Sequence, residues 1–319
     1  MSQTYHLLSA SDLSKFEILH YIFSASKMRD ILKSKKIPPQ YPDKTLITMF
    51  YEPSTRTNCS FQSAAFKLGC NVIALTEKAS SSEKGESLED TIRTLQYYGD
   101  AIVLRHPAKG SAERASYVSN VPILNGGDGN GEHPTQALLD IFTIYTELQQ
   151  KGVDLDENDR EYITITFVGD LKNSRTVHSL IRLLLHFPRL RFFYVSPSQL
   201  EMPNEIIQLV QQTNQYEQNK SPSLSDIIEK TDILYMTRIQ KERIETAKEY
   251  KAIMENSGLF QLSSEIMNQA KDTMIVMHPM PRLEEIPVDT DNDSRAVYFK
   301  QVENGLFMRM ALLDRIFSQ

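Results

Sequence analysis

The sequence predicts an α/β protein of two doubly wound domains, each a parallel sheet flanked by helices, joined by interdomain helices. Segments with strand character alternate with segments of helical periodicity along nearly the whole chain, which is the pattern of parallel sheets covered on both faces. A length of 319 residues suits two moderate domains rather than one. A polar stretch at residues 151–160 interrupts the alternation near the middle and is the natural linker.

The elements follow in order. Ser14-Lys15-Phe16-Glu17 has the form of a capping box, and Ile18, Leu19, Ile22 and Phe23 continue it as an apolar helix face. Residues 45–51 read as a buried strand. Phe61, Ala64, Ala65 and Leu68 stand at i, i+3, i+4 and i+7, and Gly69 suits the helix's C-terminal cap. Residues 71–75 form a strand, Ser87 caps a helix carrying Leu88, Ile92 and Leu95, and residues 101–104 and 122–124 are strands. A helix spans about 134–148. In the second half, residues 162–168, 192–195, 233–236 and 274–277 read as strands, and 176–186, 203–212 and 225–230 as helical. Residues 214–225 are polar and read as a loop. Two helices close the chain, one on each side of Gly305.

Composition narrows the class. Hydrophobic residues make up 40% and charged residues 24%, the balance of a soluble globular protein, and no apolar run reaches the roughly 18 residues a membrane span needs. The N-terminus shows neither a secretory signal nor an Arg-rich transit segment. The cysteines, Cys59 and Cys70, are too few for a disulfide framework or a four-cysteine zinc site. A cytoplasmic protein without metal or other cofactor is expected. A net charge of -6 speaks against nucleic acid as partner but not against small anions, which a few local cations capture.

In open parallel sheets, ligands bind beyond the carboxyl ends of the strands. There the sequence places Glu52-Pro53-Ser54-Thr55-Arg56-Thr57, Arg105-His106-Pro107, a glycine-rich loop ending in His133-Pro134-Thr135-Gln136, Gly169-Asp170-Leu171-Lys172-Asn173-Ser174-Arg175, Thr237-Arg238-Ile239-Gln240-Lys241-Glu242-Arg243 and His278-Pro279-Met280-Pro281-Arg282. Ser54 to Thr57 lie between a strand and a helix N-terminus, where free N–H groups, hydroxyls and the helix dipole favour an anion, and Arg56 adds a fork suited to phosphate. The tetrapeptide reads equally as an ordinary helix cap with a solvated Arg. Arg105 alone reads as an ion-pair partner, and His133 alone as structural. Gly126, Gly127, Gly129 and Gly131 miss the G-x-G-x-x-G spacing and read as a tight turn. Taken together, cations and amides at so many strand ends describe one deep site for a ligand with several negative charges.

These motifs resemble the aspartate and ornithine carbamoyltransferases. Ser54-Thr55-Arg56-Thr57 after Phe50-Tyr51-Glu52-Pro53, Lys84-Gly85-Glu86-Ser87-Leu88, Arg105-His106-Pro107 and His133-Pro134-Thr135-Gln136 match the family. Gly169-Asp170-Leu171-Lys172, Arg175-Thr176-Val177-His178-Ser179, Tyr235-Met236-Thr237-Arg238, Gln240-Lys241-Glu242-Arg243 and the His278 motif resemble its aspartate branch, and no cysteine stands in the late loop as the ornithine branch has. The chain departs from the family at Asn58, Glu83 and Met280, where affinity is expected to be tuned rather than lost.

The resemblance implies transfer of the carbamoyl group of carbamoyl phosphate to the amino group of L-aspartate, in de novo pyrimidine biosynthesis. It implies that Ser54, Thr55, Arg56 and Thr57 bind the phosphate, and that Thr57, Arg105 and His133 polarise the carbonyl. Gln136 orients the carbamoyl nitrogen, and the Pro279 and Met280 carbonyls contact the carbamoyl or amino group. Arg175, Arg238 and Gln240 grip the aspartate carboxylates. Ser80 and Lys84 reach the site from the neighbouring subunit of a homotrimer with shared sites, Lys84 touching both substrates. Glu52 pairs with Arg175 and Arg243 on domain closure; its alternative is a local pair with Arg56. The expected domains are residues 1–144 plus 305–319 for carbamoyl phosphate and 145–304 for aspartate. Another amine acceptor such as ornithine, a non-catalytic subunit, a regulatory chain and fused pyrimidine-pathway domains stay open.

Overall fold

The computed structural model describes residues 4–76, 85–213, 216–255 and 257–318. The chain divides into two compact units, Met1–Phe142 with Val302–Gln319, and Thr143–Gln301.

In the first unit, α1 (Lys15–Lys33) opens on the anticipated capping box: Glu17 N–H donates to Ser14 Oγ at 3.3 Å, and Ser14 N–H to the Glu17 carboxylate at 3.1 Å. There follow β1 (Thr45–Phe50), α2 (Thr55–Lys67), β2 (Asn71–Thr76), α3 (Leu88–Leu95), β3 (Ala101–His106), α4 (Ser111–Ser116), β4 (Ile123–Asp128) and α5 (Pro134–Gln150). The strands pair in parallel in the order β2-β1-β3-β4. Ile47, Met49, Ile102, Leu104 and Ile123 are buried with Leu88, Ile92 and Leu95 of α3, each side chain contributing on the order of 1.5–3 kcal/mol.

The second unit holds β5 (Ile163–Val168), α6 (Arg175–Leu184), β6 (Leu190–Val195), α7 (Asn204–Gln212), β7 (Glu217–Lys220), β8 (Ile233–Met236), α8 (Ala247–Met254), α9 (Ser264–Gln269), β9 (Ile275–Met277) and the start of α10 (Tyr298–Phe317). Its sheet is parallel in the order β7-β6-β5-β8-β9, with Val168, Leu234, Met236 and Val276 in its core. Each sheet reverses its winding direction once, between β1 and β3 in the first and between β5 and β8 in the second. Those are the switch points at which open α/β sheets offer a crevice.

Several elements differ from expectation. Residues 151–160, expected as the linker, belong to the second unit. That stretch is tied down because the buried Arg160 guanidinium donates to the carbonyls of Asp154, Leu155 and Arg189. β4 runs on through Asn125-Gly126-Gly127-Asp128, a composition that reads as a turn; Asn125 N–H donates to Leu7 O, and Gly127 N–H to the Asn125 side chain. β7 is an edge strand of polar, mostly exposed residues. Residues 225–230 hold only a 3₁₀ turn at Ile228–Lys230. α10 is one helix through Gly305, not two. A Cβ there would lie 2.7 Å from Arg309 Nη1 and 3.2 Å from a Leu139 methyl, so close packing outweighs the roughly 1 kcal/mol that glycine costs a helix. Among the described residues, no helix is long and apolar enough to cross a membrane.

Candidate functional site

At the first unit's switch point, β1 delivers Glu52 to Thr57 and β3 delivers Arg105. Ser54 is the N-cap of α2 in backbone terms, but its hydroxyl makes no capping hydrogen bond. Ser14, Ser87, Thr246 and Ser263 do cap their helices through the side chain. The cap explanation of the tetrapeptide therefore does not account for Ser54. Thr55 and Arg56 are exposed on the helix's first turn, whereas Thr57 is buried with Oγ1 3.4 Å from His133 Nε2. The other nitrogen of that buried imidazole, Nδ1, is 3.4 Å from Thr135 Oγ1.

Arg105 donates from Nη1 to Gly126 O at 3.3 Å, and its Nε lies 3.3 Å from Glu52 Oε2. Arg105 is thus a local partner of Glu52. Asp128 at the end of β4 accepts the N–H groups of Gly110 (2.7 Å) and Glu132 (2.6 Å), which folds back the loop carrying His133. Gln136, on the first turn of α5, donates from Nε2 to Asp140 Oδ1 at 2.9 Å.

At the second unit's switch point, β5 leads into Gly169 and Asp170, and β8 into Thr237 and Arg238. Asp170 is buried, and burial leaves its carboxyl above the usual value despite opposing hydrogen bonds and the charge of Arg243. It accepts from Asn173 N–H (3.0 Å) and Gln240 N–H (3.2 Å), so one carboxylate ties both loops together. Arg175 starts α6 and is buried. Arg238 forms a fork with the Glu242 carboxylate, Nη1 to Oε2 at 2.9 Å, and Arg243 Nε donates to Gln240 Oε1 at 3.1 Å.

After β9, Met280 N–H donates to His278 Nδ1 at 2.8 Å. The ring proton therefore sits on Nε2, which faces Glu285 Oε1 at 2.8 Å. This fixes the backbone at Pro279 and Met280, the latter at φ 57°. Burial works to raise the Glu285 carboxyl, but bonds from His278 and Leu283 N–H outweigh it and hold it below the usual 4.5. A lowered acid stabilises the fold fully above its unfolded value and loses that contribution as pH falls through the folded value. In urea unfolding from pH 7 to pH 3, wild type is expected to exceed Glu285→Gln by about 1–3 kcal/mol near neutrality, a margin that narrows below pH 4.5. A constant margin would remove Glu285 from this role.

The structure thus brings Thr57, His133, Arg105 and Glu52 to one sheet's end, and Arg175, Arg238, Gln240 and Arg243 to the other's. Ser80 and Lys84 lie outside the described residues. Sequence reasoning assigned no role to the supporting carboxylates Asp128, Asp140, Asp170, Glu242 and Glu285. Glu242 and Asp140 each carried a local signal, four residues from Arg238 and Gln136, and Asp170 stood inside a motif already singled out.

Two doubly wound parallel sheets with arginine at both switch points define the class of protein. Residues 5–146 match the carbamoyl-phosphate binding domain of aspartate/ornithine carbamoyltransferases, and residues 161–316 their Asp/Orn binding domain. The chain belongs to the aspartate/ornithine carbamoyltransferase family. It is 44% identical over 312 residues to the aspartate carbamoyltransferase catalytic subunit of Methanocaldococcus jannaschii, covering 98% of this chain and 97% of that one. It is 45% identical to the multifunctional protein pyr1-3 of Dictyostelium discoideum over 98% of its own length, and spans only 13% of that much longer protein. The crystal structure of aspartate transcarbamoylase from Trypanosoma cruzi in complex with N-(phosphonacetyl)-L-aspartic acid superposes with a TM-score of 0.90 at 38% identity, covering 98% of this chain and 96% of that one.

Proposed function

We propose that this chain transfers the carbamoyl group of carbamoyl phosphate to the amino group of L-aspartate, giving N-carbamoyl-L-aspartate and phosphate, as a step of de novo pyrimidine biosynthesis. The observation that carries this reading is the full-length match to aspartate carbamoyltransferase catalytic subunits, with the motif residues among the described positions standing at strand ends.

Ser54, Thr55, Arg56 and Thr57 hold the phosphate at the N-terminus of α2. Thr57, Arg105 and His133 polarise the carbonyl and take up the oxyanion as the amine adds. Gln136 and the carbonyls of Pro279 and Met280 orient the carbamoyl and amino groups. Arg175, Arg238 and Gln240 bind the aspartate carboxylates, a substrate carboxylate exchanging with Glu242 for the Arg238 fork. A C–N bond forms, the C–O bond to phosphate breaks, and the departing phosphate accepts the amine proton, so no protein base is required. The chain's contribution is positioning and electrostatics, with orientation supplying up to about 7–11 kcal/mol. Glu52 and Arg243 serve domain closure, and Ser80 and Lys84 complete the site of a neighbouring subunit in a cytoplasmic homotrimer. Fusion to other domains, as in the multifunctional relatives, and association with a regulatory chain are compatible with this reading.

The test is carbamoyl transfer by the purified chain with aspartate and ornithine as parallel acceptors. Carbamoyl aspartate is the expected product, with aspartate preferred at least a hundredfold, because an acceptor without the second carboxylate cannot make the contacts assigned to these arginines. Turnover with ornithine alone would overturn the assignment of Arg238 and Gln240.

A further inference from the structure

We propose that Asp140 is a positioning residue: it turns the nitrogen of the Gln136 side-chain amide inward, so that the amide oxygen alone is offered to a substrate N–H. The proposal deepens the function above and rests on it.

Gln136 and Asp140 are i and i+4 on α5 and share a helix face. Asp140 is fully buried, and its carboxylate receives Gln136 Nε2 at 2.9 Å. An ionised carboxylate only accepts hydrogen bonds, so chemistry settles which end of the amide faces it. The oxygen, set about 120° away on the planar amide, points elsewhere, and Gln136 is only half-buried. An acceptor held in this way suits an –NH₂ group and is poorly matched to a methyl group of the same size.

The positive charge nearest in effect to Asp140 in the interior is that of Arg309 of α10. Burial lowers this guanidinium to about 10 and the charge of Asp140 opposes the shift, so it stays protonated at neutral pH. Its seat is specific: the guanidinium lies 5.0 Å over the Phe61 ring and donates to Gly305 O at 3.2 Å. A side chain at position 305 would collide with it. The glycine inside α10, otherwise a defect, makes room for this cation.

The probes are carbamoyl phosphate and acetyl phosphate, which differ by –NH₂ against –CH₃. Their dissociation constants are measured by calorimetry on wild type, Asp140→Asn, Gln136→Met and the double variant, with inorganic phosphate as a control ligand. Asp140→Asn can donate as well as accept, so the Gln136 amide is free to flip. Its preference for carbamoyl over acetyl phosphate is expected to fall about tenfold, the worth of one hydrogen bond, with phosphate affinity unchanged. In the Gln136→Met background the same change is expected to do nothing further. An unchanged ratio in Asp140→Asn, or an equal loss in the double variant, would overturn the proposal by leaving Asp140 a purely structural residue. If Asp140→Asn does not fold, Asp140→Ser carries the same expectation. Wild type that binds both phosphates but makes no carbamoyl aspartate refutes the proposed function, while the ratio still decides the role of Asp140.

Discussion

Arg105→Ala is expected to lower turnover roughly 10²–10³-fold, the loss found when one oxyanion donor is removed. Arg105 is the penultimate residue of β3 at the first sheet's switch point, with its side chain 14% exposed. The bland explanation of this residue, an ion pair, is also present: Glu52 lies 3.3 Å away. The two roles differ in what they predict. A pair in this partly exposed setting is worth about 1 kcal/mol of stability and leaves chemistry alone. An oxyanion donor acts mainly in the transition state, so kcat falls with little change in melting temperature. Arg105→Lys sharpens the test, because it keeps the charge but loses the fork that spans Glu52 and the Gly126 carbonyl. It is expected to retain part of the stability and little of the rate. Near-normal turnover in Arg105→Ala would end the assignment.

The ends of the strands were readable in the sequence because parallel strands announce themselves as short apolar runs, and the polar residues that follow are then located within a few positions. The capping box at Ser14 and the cap at Ser87 were readable for the same local reason. β7 was not: an exposed edge strand of Glu-Gln-Asn-Lys has no apolar face to show, and its pairing to β6 is visible only in three dimensions. The second half of β4 was hidden by glycine and asparagine, which favour turns unless a neighbouring strand holds them extended. The joining role of Asp170 was hidden by distance along the chain. Asp170 and Gln240 are 70 residues apart, and nothing near either one states that a buried carboxylate joins their loops. Candidate ligand contacts sit in compact motifs, while a group that joins two such motifs need be near only one of them in sequence.

Gly169→Ala is the substitution in the second unit for which the largest loss of stability is expected. Gly169 has φ 110°, a conformation that L side chains rarely adopt, and an added Cβ would lie 2.1 Å from Thr237 O and 2.7 Å from Thr237 Oγ1. Backbone cannot yield here cheaply, because this is where the ends of β5 and β8 are fastened. Gly169 N–H donates to Val195 O at 3.0 Å, and Thr237 donates to Val168 O from its N–H at 2.8 Å and its hydroxyl at 2.9 Å. The strained φ and the overpacking each cost about 1–3 kcal/mol, so a loss of about 2–6 kcal/mol is expected. At roughly 2–4 °C per kcal/mol for a unit of this size, the melting temperature falls by about 4–24 °C. The displacement also moves Arg238 and Gln240, which follow Thr237 directly. The Michaelis constant for aspartate should therefore rise at temperatures where the variant is still folded, while carbamoyl phosphate, assigned to the first unit, binds as before. Equal losses for both substrates would mean that the effect is general unfolding. A variant within 0.5 kcal/mol of wild type, about the spread of ordinary surface substitutions, would mean that the fastening of β5 to β8 is not as tight as these distances require.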